Sequence, residues 1–383
     1  MRAEVAQPGV GEIARHWGRI GCVGFGGPPA HIALLRRLCV ERKGWLSSHE
    51  FEDAIAACNL LPGPASTQLA IFCAWRLRGW RGAIVGGLGF ILPGLVLIIL
   101  LAALFLASSP PTWVRGAGAG AGAAVAAVAV HAGAGLVPAS WERAFSRRRW
   151  LVYAGLGGVA GALAGAWLVL VLLACGLVEV LVRGRWRTDR GLGVSGWLPL
   201  ALTGTGGLAA VAWTAFKVGA LSYGGGFVIV PLMQGDAVRH HHWMSAAQFL
   251  NAVALGQVTP GPVVHTVAAV GYAAAGVGGA LLAALVAFSP SFAFVLLGAR
   301  RFDRLRRDRN VLSFLGGAGP AAIGAIIGSA IPLALALTET WQAAVLVAAA
   351  IALLLLRRGV VATLLGAGAL GALLGVLGAG VSG

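Results

Sequence analysis

The chain has 383 residues, 58% of them hydrophobic and only 11% charged, with a mean hydropathy of +0.85. That balance excludes a soluble globular domain of this size and predicts an all-α polytopic membrane protein in contact with a lipid bilayer. The formal charge of +16 does not indicate a nucleic-acid partner, because the arginines cluster in short loops between apolar runs, as the positive-inside rule requires.

Residues 1–11 are short and polar and predict no cleavable leader. Apolar stretches at 13–27 and 28–40 then flank Gly26-Gly27-Pro28-Pro29, and stretches at 47–61 and 64–79 flank Pro62-Gly63-Pro64. None reaches the ~20 apolar residues a crossing needs, so the four read as half-length helices broken at Gly and Pro. Longer runs follow at 82–107 and 110–137. The run 150–183 is too long for one span and is expected to divide near Gly165. The glycines from Gly116 to Gly122 form no nucleotide loop, since no strand precedes them; they read as a helix–helix contact surface. Glu179 lies near Arg183 and is expected to pair with it. Glu41, Glu52 and Asp53 read as solvated or as caps of a helix start. The five cysteines all fall in the first half without C-x-x-C spacing and read as small buried hydrophobes.

After a basic linker from Arg183 to Arg190, the run from Trp197 to Val211 is the expected place of a joining crossing. The domains are then 1–183, a linker and crossing over 184–210, and 211–383. The third segment repeats the first. Arg19-Ile-Gly-Cys-Val-Gly-Phe-Gly-Gly27, Trp45-Leu-Ser47, Phe51 and Pro62-Gly63-Pro64 recur 198 positions later as Lys217-Val-Gly-Ala-Leu-Ser-Tyr-Gly-Gly225, Trp243-Met-Ser245, Phe249 and Pro260-Gly261-Pro262. Matching Trp, Phe and paired prolines mark an internal duplication.

Loop charge sets the two copies in opposition. Arg36 to Lys43, Arg76 to Arg81 and Arg143 to Arg149 are basic; their counterparts Gln234 to His242, Ala275 to Gly278 and Thr338 to Thr340 are charge-poor. Conversely, Ser108 to Pro111 and Ala164-Gly165 are bare, where their counterparts carry Arg300 to Arg309 and Arg357-Arg358. Under the positive-inside rule this predicts two homologous repeats of inverted topology.

A half-helix starting at the bilayer midplane aims unpaired N–H groups and a positive dipole end into the protein, which makes an anion site. Gly before Pro is what such a start requires. The candidate binding residues are therefore Gly26, Gly27 and Pro28; Pro62, Gly63 and Pro64; Gly224 and Gly225, with Gly226 standing where Pro28 would be; and Pro260, Gly261 and Pro262. Ser66, Thr67 and Gln68 follow the first Pro-Gly-Pro and can donate hydrogen bonds to an oxyanion; Val264, His265 and Thr266 follow the second. Arg19 and Lys217 occupy equivalent positions of the repeat, and two intramembrane cations could balance a dianion. No acid falls at the predicted midplane, so no carboxylate proton relay is expected. His240-His241-His242 lacks a spaced partner, so no metal site is predicted. With no catalytic constellation and no Walker motif, the reading is a non-enzymatic transporter without a cofactor, driven by an ion gradient or the membrane potential.

Gly24-Phe25-Gly26-Gly27-Pro28, Glu41-Arg42-Lys43-Gly44-Trp45-Leu46, Leu61-Pro62-Gly63-Pro64 and Phe90-Ile-Leu-Pro93-Gly94 resemble the chromate ion transporter family, long-chain two-domain type. Tyr223-Gly-Gly-Gly226, Trp243 and Gln257-Val-Thr-Pro260-Gly-Pro262 are similar to its second-half signature. The resemblance covers nearly the whole chain. It implies efflux of chromate from the cytoplasm across the bacterial inner (plasma) membrane, conferring chromate resistance, with sulfate as an isosteric competitor. A transporter of sulfate or another tetrahedral oxyanion, and an anion channel, stay open beside it. So does the oligomeric state, a homo-oligomer included.

Overall fold

The structure is a computed structural model that describes residues 7–59, 61, 63–107, 109–164, 168–183, 207–222, 229–298, 308–378 and 380. The described residues are helical and contain no strand. Four helical segments, Ala65–Phe105, Thr112–Glu142, Val263–Gly298 and Arg309–Leu335, are long and apolar enough to cross a membrane, and the chain is an all-α polytopic membrane protein. The expected joining crossing falls almost wholly outside the described residues.

In the first half, α1 (Val10–Val23) is followed by α2 (Gly27–Arg36), which runs on as a π-helical turn, Arg37–Arg42. Then come α3 (Ser48–Cys58), α4 (Ala65–Phe105), α5 (Thr112–Glu142), α6 (Arg147–Val159) with a π turn at Ala160–Ala164, and α7 (Leu168–Val182). In the second half, α8 (Leu208–Leu221) precedes α9 (Ile229–Gln234), which again runs on as a π turn, Gly235–His240. There follow α10 (Ala246–Val258), α11 (Thr266–Gly298) entered through a 3-10 turn at Val263–His265, α12 (Arg309–Gly328), α13 (Ala330–Leu335), α14 (Thr340–Ala350) with a π turn at Ile351–Leu355, and α15 (Val360–Val376).

Local chemistry explains the breaks. Ser47 caps α3 and Ser245 caps α10, each in a reciprocal capping box, with Glu50 and Gln248 respectively; each box satisfies two backbone donors that would otherwise be orphaned at a helix start. Within α4 the chain reverses at Arg78–Gly79, where Gly79 takes φ 57°, and within α11 at Ala275–Gly276, where Gly276 takes φ 61°. Only glycine adopts that conformation without strain. The arms fold back on each other: Gly82 lies against the Ala74 carbonyl, and Gly271 against Gly279. Each of these elements is thus a short arm and a full-length arm, matching the separate stretches expected at 64–79 and 82–107.

One expectation is corrected. Arg36 to Lys43 and Gln234 to His242 read as loops, but both are largely helical, and Gln234, Gly235, Asp236 and Ala237 are buried. A wide π turn keeps the backbone bonded while its polar end leaves the protein, so a charged run there mimics a loop.

The halves interlock. The short helices α1 and α8 pack on α4 and α11 of their own half, and α4 packs on α11. The long helix α5, however, packs on α14 and α15 of the second half, while α12 packs on α6 and α7 of the first. Small residues permit this approach. Gly116 and Gly120 touch the α15 backbone at Gly371 and Ala367, so the glycine run is a helix-contact surface; Gly157 and Gly161 touch α12 at Ala321 and Ala325. At the end of α7, Glu179 is 2% exposed and accepts hydrogen bonds from Arg183 at 3.0 Å, Arg149 at 3.1 Å and Tyr153 at 3.0 Å, so the expected pairing with Arg183 is present within a larger network. Four cysteines are buried and Cys22 is exposed, all as free thiols.

Candidate functional site

Three helix starts approach one another. Gly26 and Gly27 take φ 100° and 72°, and Pro28 occupies the first turn of α2. The carbonyl of Gly24, just before that start, accepts a 2.9 Å hydrogen bond from the Gly261 N–H. This stitches α2 to the second Pro-Gly-Pro turn, where Gly261 has φ 91° and Pro262 is the N-cap of the 3-10 turn. The start of α4 joins them through His31. Its Nε2 lies 2.9 Å from the Gly24 carbonyl and its Nδ1 3.2 Å from Ser66 Oγ. A carbonyl only accepts, so Nε2 carries the proton and the Ser66 hydroxyl donates to Nδ1.

The long arms of α4 and α11 form the wall behind these starts. Gly94 lies directly against the Pro260 carbonyl and the His265 ring. Gly63 has φ 117°, and a methyl group built on it would lie 3.4 Å from the Gly219 carbonyl and 3.5 Å from Ser291 Oγ. Phe90 meets His31 edge-on at 5.0 Å, and Phe288, 198 positions later, meets His265 at 5.3 Å.

Around this junction, buried polar atoms lack partners. Thr67 Oγ1, Ser222 Oγ, Ser291 Oγ, Gln257 Nε2 and both ring nitrogens of His265 make no hydrogen bond. Thr67, Ser222, His265 and Ser291 are 0% exposed. A buried polar group left unsatisfied costs about 1–3 kcal/mol. These five side chains can all donate: three hydroxyls, an amide and an imidazole N–H, from α4, the end of α8, α10, the 3-10 turn before α11, and the long arm of α11. None is a carboxylate. Such a set suits a ligand that only accepts hydrogen bonds.

Among the other sequence candidates, Pro64 is the N-cap of α4, and Gln68 is buried in its first turn. Pro260 lies beside Gly94 as described. Thr266 spends its hydroxyl on the Val263 carbonyl at 2.8 Å. Pro62, Gly224 and Gly225 lie outside the described residues. The two cations part company. Arg19 is exposed on the outer face of α1. Lys217 sits 2.5 Å from the Asp236 carboxylate, which is 5% exposed and also accepts from Thr214 at 2.9 Å. Asp236, which the sequence places in a loop, is thus buried among the helices. No motif in the sequence singles out the side chains of His31, Ser222, Gln257 and Ser291 as binding groups. Among the described residues no group of three His, Cys, Asp or Glu could hold a metal ion.

A family model described as "Chromate transporter" matches residues 11–180 and 209–372. The "Chromate transport protein" of Cupriavidus metallidurans is 31% identical over 84% of this chain and 82% of its own length. The "Probable chromate transport protein" of Synechococcus elongatus is 28% identical over 84% of both. The "Chromate transport protein" of Pseudomonas aeruginosa is 30% identical over 82% of this chain and 79% of its own. No solved structure matches.

Proposed function

The chain belongs to the chromate transporter family, and from that premise we propose that it is a secondary transporter exporting chromate from the cytoplasm across the bacterial inner membrane. The observation that carries this reading is the cluster of five buried side chains that can donate hydrogen bonds and spend none of those donors elsewhere, at the junction of three helix starts. Chromate is a tetrahedral dianion with four oxygens that only accept. Thr67, Ser222, Gln257, His265 and Ser291 supply side-chain donors. The starts of α2, α4 and the 3-10 turn before α11 supply N–H groups and positive dipole ends, each equivalent to about half a charge. Gly26, Gly27, Gly63 and Gly261 permit the tight turns that aim those backbones inward. Lys217, five residues before Ser222 along the chain, supplies a full charge, and Arg19, on the outer face of α1 five residues before Gly24, draws the anion toward the shell. Sulfate has the same shape and charge and competes.

Uptake of labelled chromate into inverted membrane vesicles tests this. It should saturate, show counterflow and fall when sulfate is added; current without exchange would indicate a channel. A Thr67→Val, Ser291→Ala double variant loses two donors to a charged acceptor, each worth about 1.5–3 kcal/mol. Uptake should drop at least tenfold at normal membrane insertion. Unchanged uptake would remove the donor shell from the pathway.

Inverted topology is part of the same proposal, supported by the opposed loop charges. Single cysteines at Arg76 to Arg81 or Arg300 to Arg309 should resist a membrane-impermeant maleimide applied to intact cells, while cysteines at Ser108 and Thr338 should react. Labelling of either arginine segment from outside would overturn the inversion.

A further inference from the structure

Lys217 is one of two lysines in the chain, and its partner Asp236 belongs to the second half alone, since the residue 198 positions earlier is Leu38. The surroundings of the pair are sparse. From α8 only Lys217 is titratable; it also lies 5.9 Å from the Trp213 ring. Neither α9 nor α10 carries a titratable side chain, and α12, which packs on α9, carries only Arg309 at its first position. Among the described residues the remaining groups are Tyr272 on α11, which packs on α8, and those where the π turn reaches the surface: Arg239, His240, His241 and His242. His241 donates its backbone N–H to the Asp236 carbonyl at 2.8 Å and stacks on Trp243 at 4.6 Å.

One ammonium can neutralise Asp236 or an arriving anion, but not both. A dianion at Lys217 would meet the Asp236 carboxylate as a third negative charge in a low-dielectric setting. Resting on the oxyanion-transport reading above, we propose that Asp236 is the coupling site, binding one proton with each dianion. The proton comes from the aqueous side that supplies the anion. An O–H bond forms on the carboxylate, the ion pair opens, and Lys217 turns to the anion; on the far side the steps reverse and the proton leaves. Linkage makes the effect mutual: the bound proton raises affinity for the anion, and the anion raises affinity for the proton. A dianion travelling with one proton moves one net negative charge, so a potential negative inside still drives export.

The test uses the purified full chain in proteoliposomes with a trapped pH-sensitive dye, at an alkaline pH where chromate is the dianion. In the wild type, chromate influx should acidify the lumen in about a one-to-one ratio. Asp236→Asn should keep chromate counterflow within about threefold of wild type and lose the acidification, whereas Asp236→Glu should keep both. Acidification that persists in Asp236→Asn overturns the proposal. So does counterflow lost in an Asp236→Asn protein that is monodisperse, or wild-type counterflow without acidification. Absence of counterflow in the wild type overturns the transport reading itself.

Discussion

Lys217→Gln should be the most damaging single substitution in this chain, abolishing chromate resistance and lowering the melting temperature of the detergent-solubilised protein. Removing the lysine strands Asp236, 5% exposed, with only the Thr214 hydroxyl at 2.9 Å among the described residues. Breaking a buried ion pair from one side typically costs about 3–5 kcal/mol, because the remaining charge keeps its desolvation penalty. Adding Asp236→Asn should restore the melting temperature to near wild type, yet transport should stay absent, since no charge at this position remains for the anion. Lys217→Arg should do less harm to both, keeping charge and changing geometry. Arg19→Gln should weaken transport without moving the melting temperature, because Arg19 is exposed. Normal melting and normal resistance in Lys217→Gln would reduce the pair to an incidental contact.

Gly94→Val should remove transport by more than a hundredfold while leaving a folded protein. A side chain at Gly94 runs directly into the Pro260 carbonyl and the His265 ring. Overpacking of this kind typically costs about 1–3 kcal/mol, which a protein with so extensive a helical core can tolerate. The displaced groups, however, are the second Pro-Gly-Pro turn and one of the five donors. Gly94→Ala should fall between. Chromate counterflow and thermal melting of the same preparations separate the two effects. Wild-type counterflow in Gly94→Val would place the anion elsewhere.

The breaks in the helices were readable from the sequence because they rest on backbone chemistry that few residues supply. Gly26, Gly63 and Gly261 all take positive φ, and Pro28, Pro64 and Pro262 all mark helix starts. The donors were harder to read. A serine in an apolar helix commonly bonds its own backbone, as Ser289 does to Val286 and Ser329 to Ile326. Nothing in the residue order tells Ser291, whose hydroxyl is unpartnered, from Ser289 two positions away. The Lys217–Asp236 pair was hidden for another reason. It forms across a tertiary contact between α8 and a π turn, and Asp236 stands in a charge-mixed run that imitates a loop. His31 gave no signal because its role depends on two partners, the Gly24 carbonyl that accepts from it and the Ser66 hydroxyl that donates to it, brought near it by the turn at Gly26–Gly27.

The crossed packing of the long helices also sets a timetable. α6 and α7 are complete by Val182, but the surface they pack on, α12, begins only at Arg309. At 5–20 residues per second, the ribosome takes roughly ten seconds to supply it. During that interval the close-approach faces at Gly157, Gly161 and Gly176 have no partner helix and lie against lipid. The first half therefore cannot finish folding when its synthesis ends. Assembly must close late, with α12 entering a waiting hairpin and α15 docking last on α5, so a chain truncated after the first half would be left with its glycine seams open.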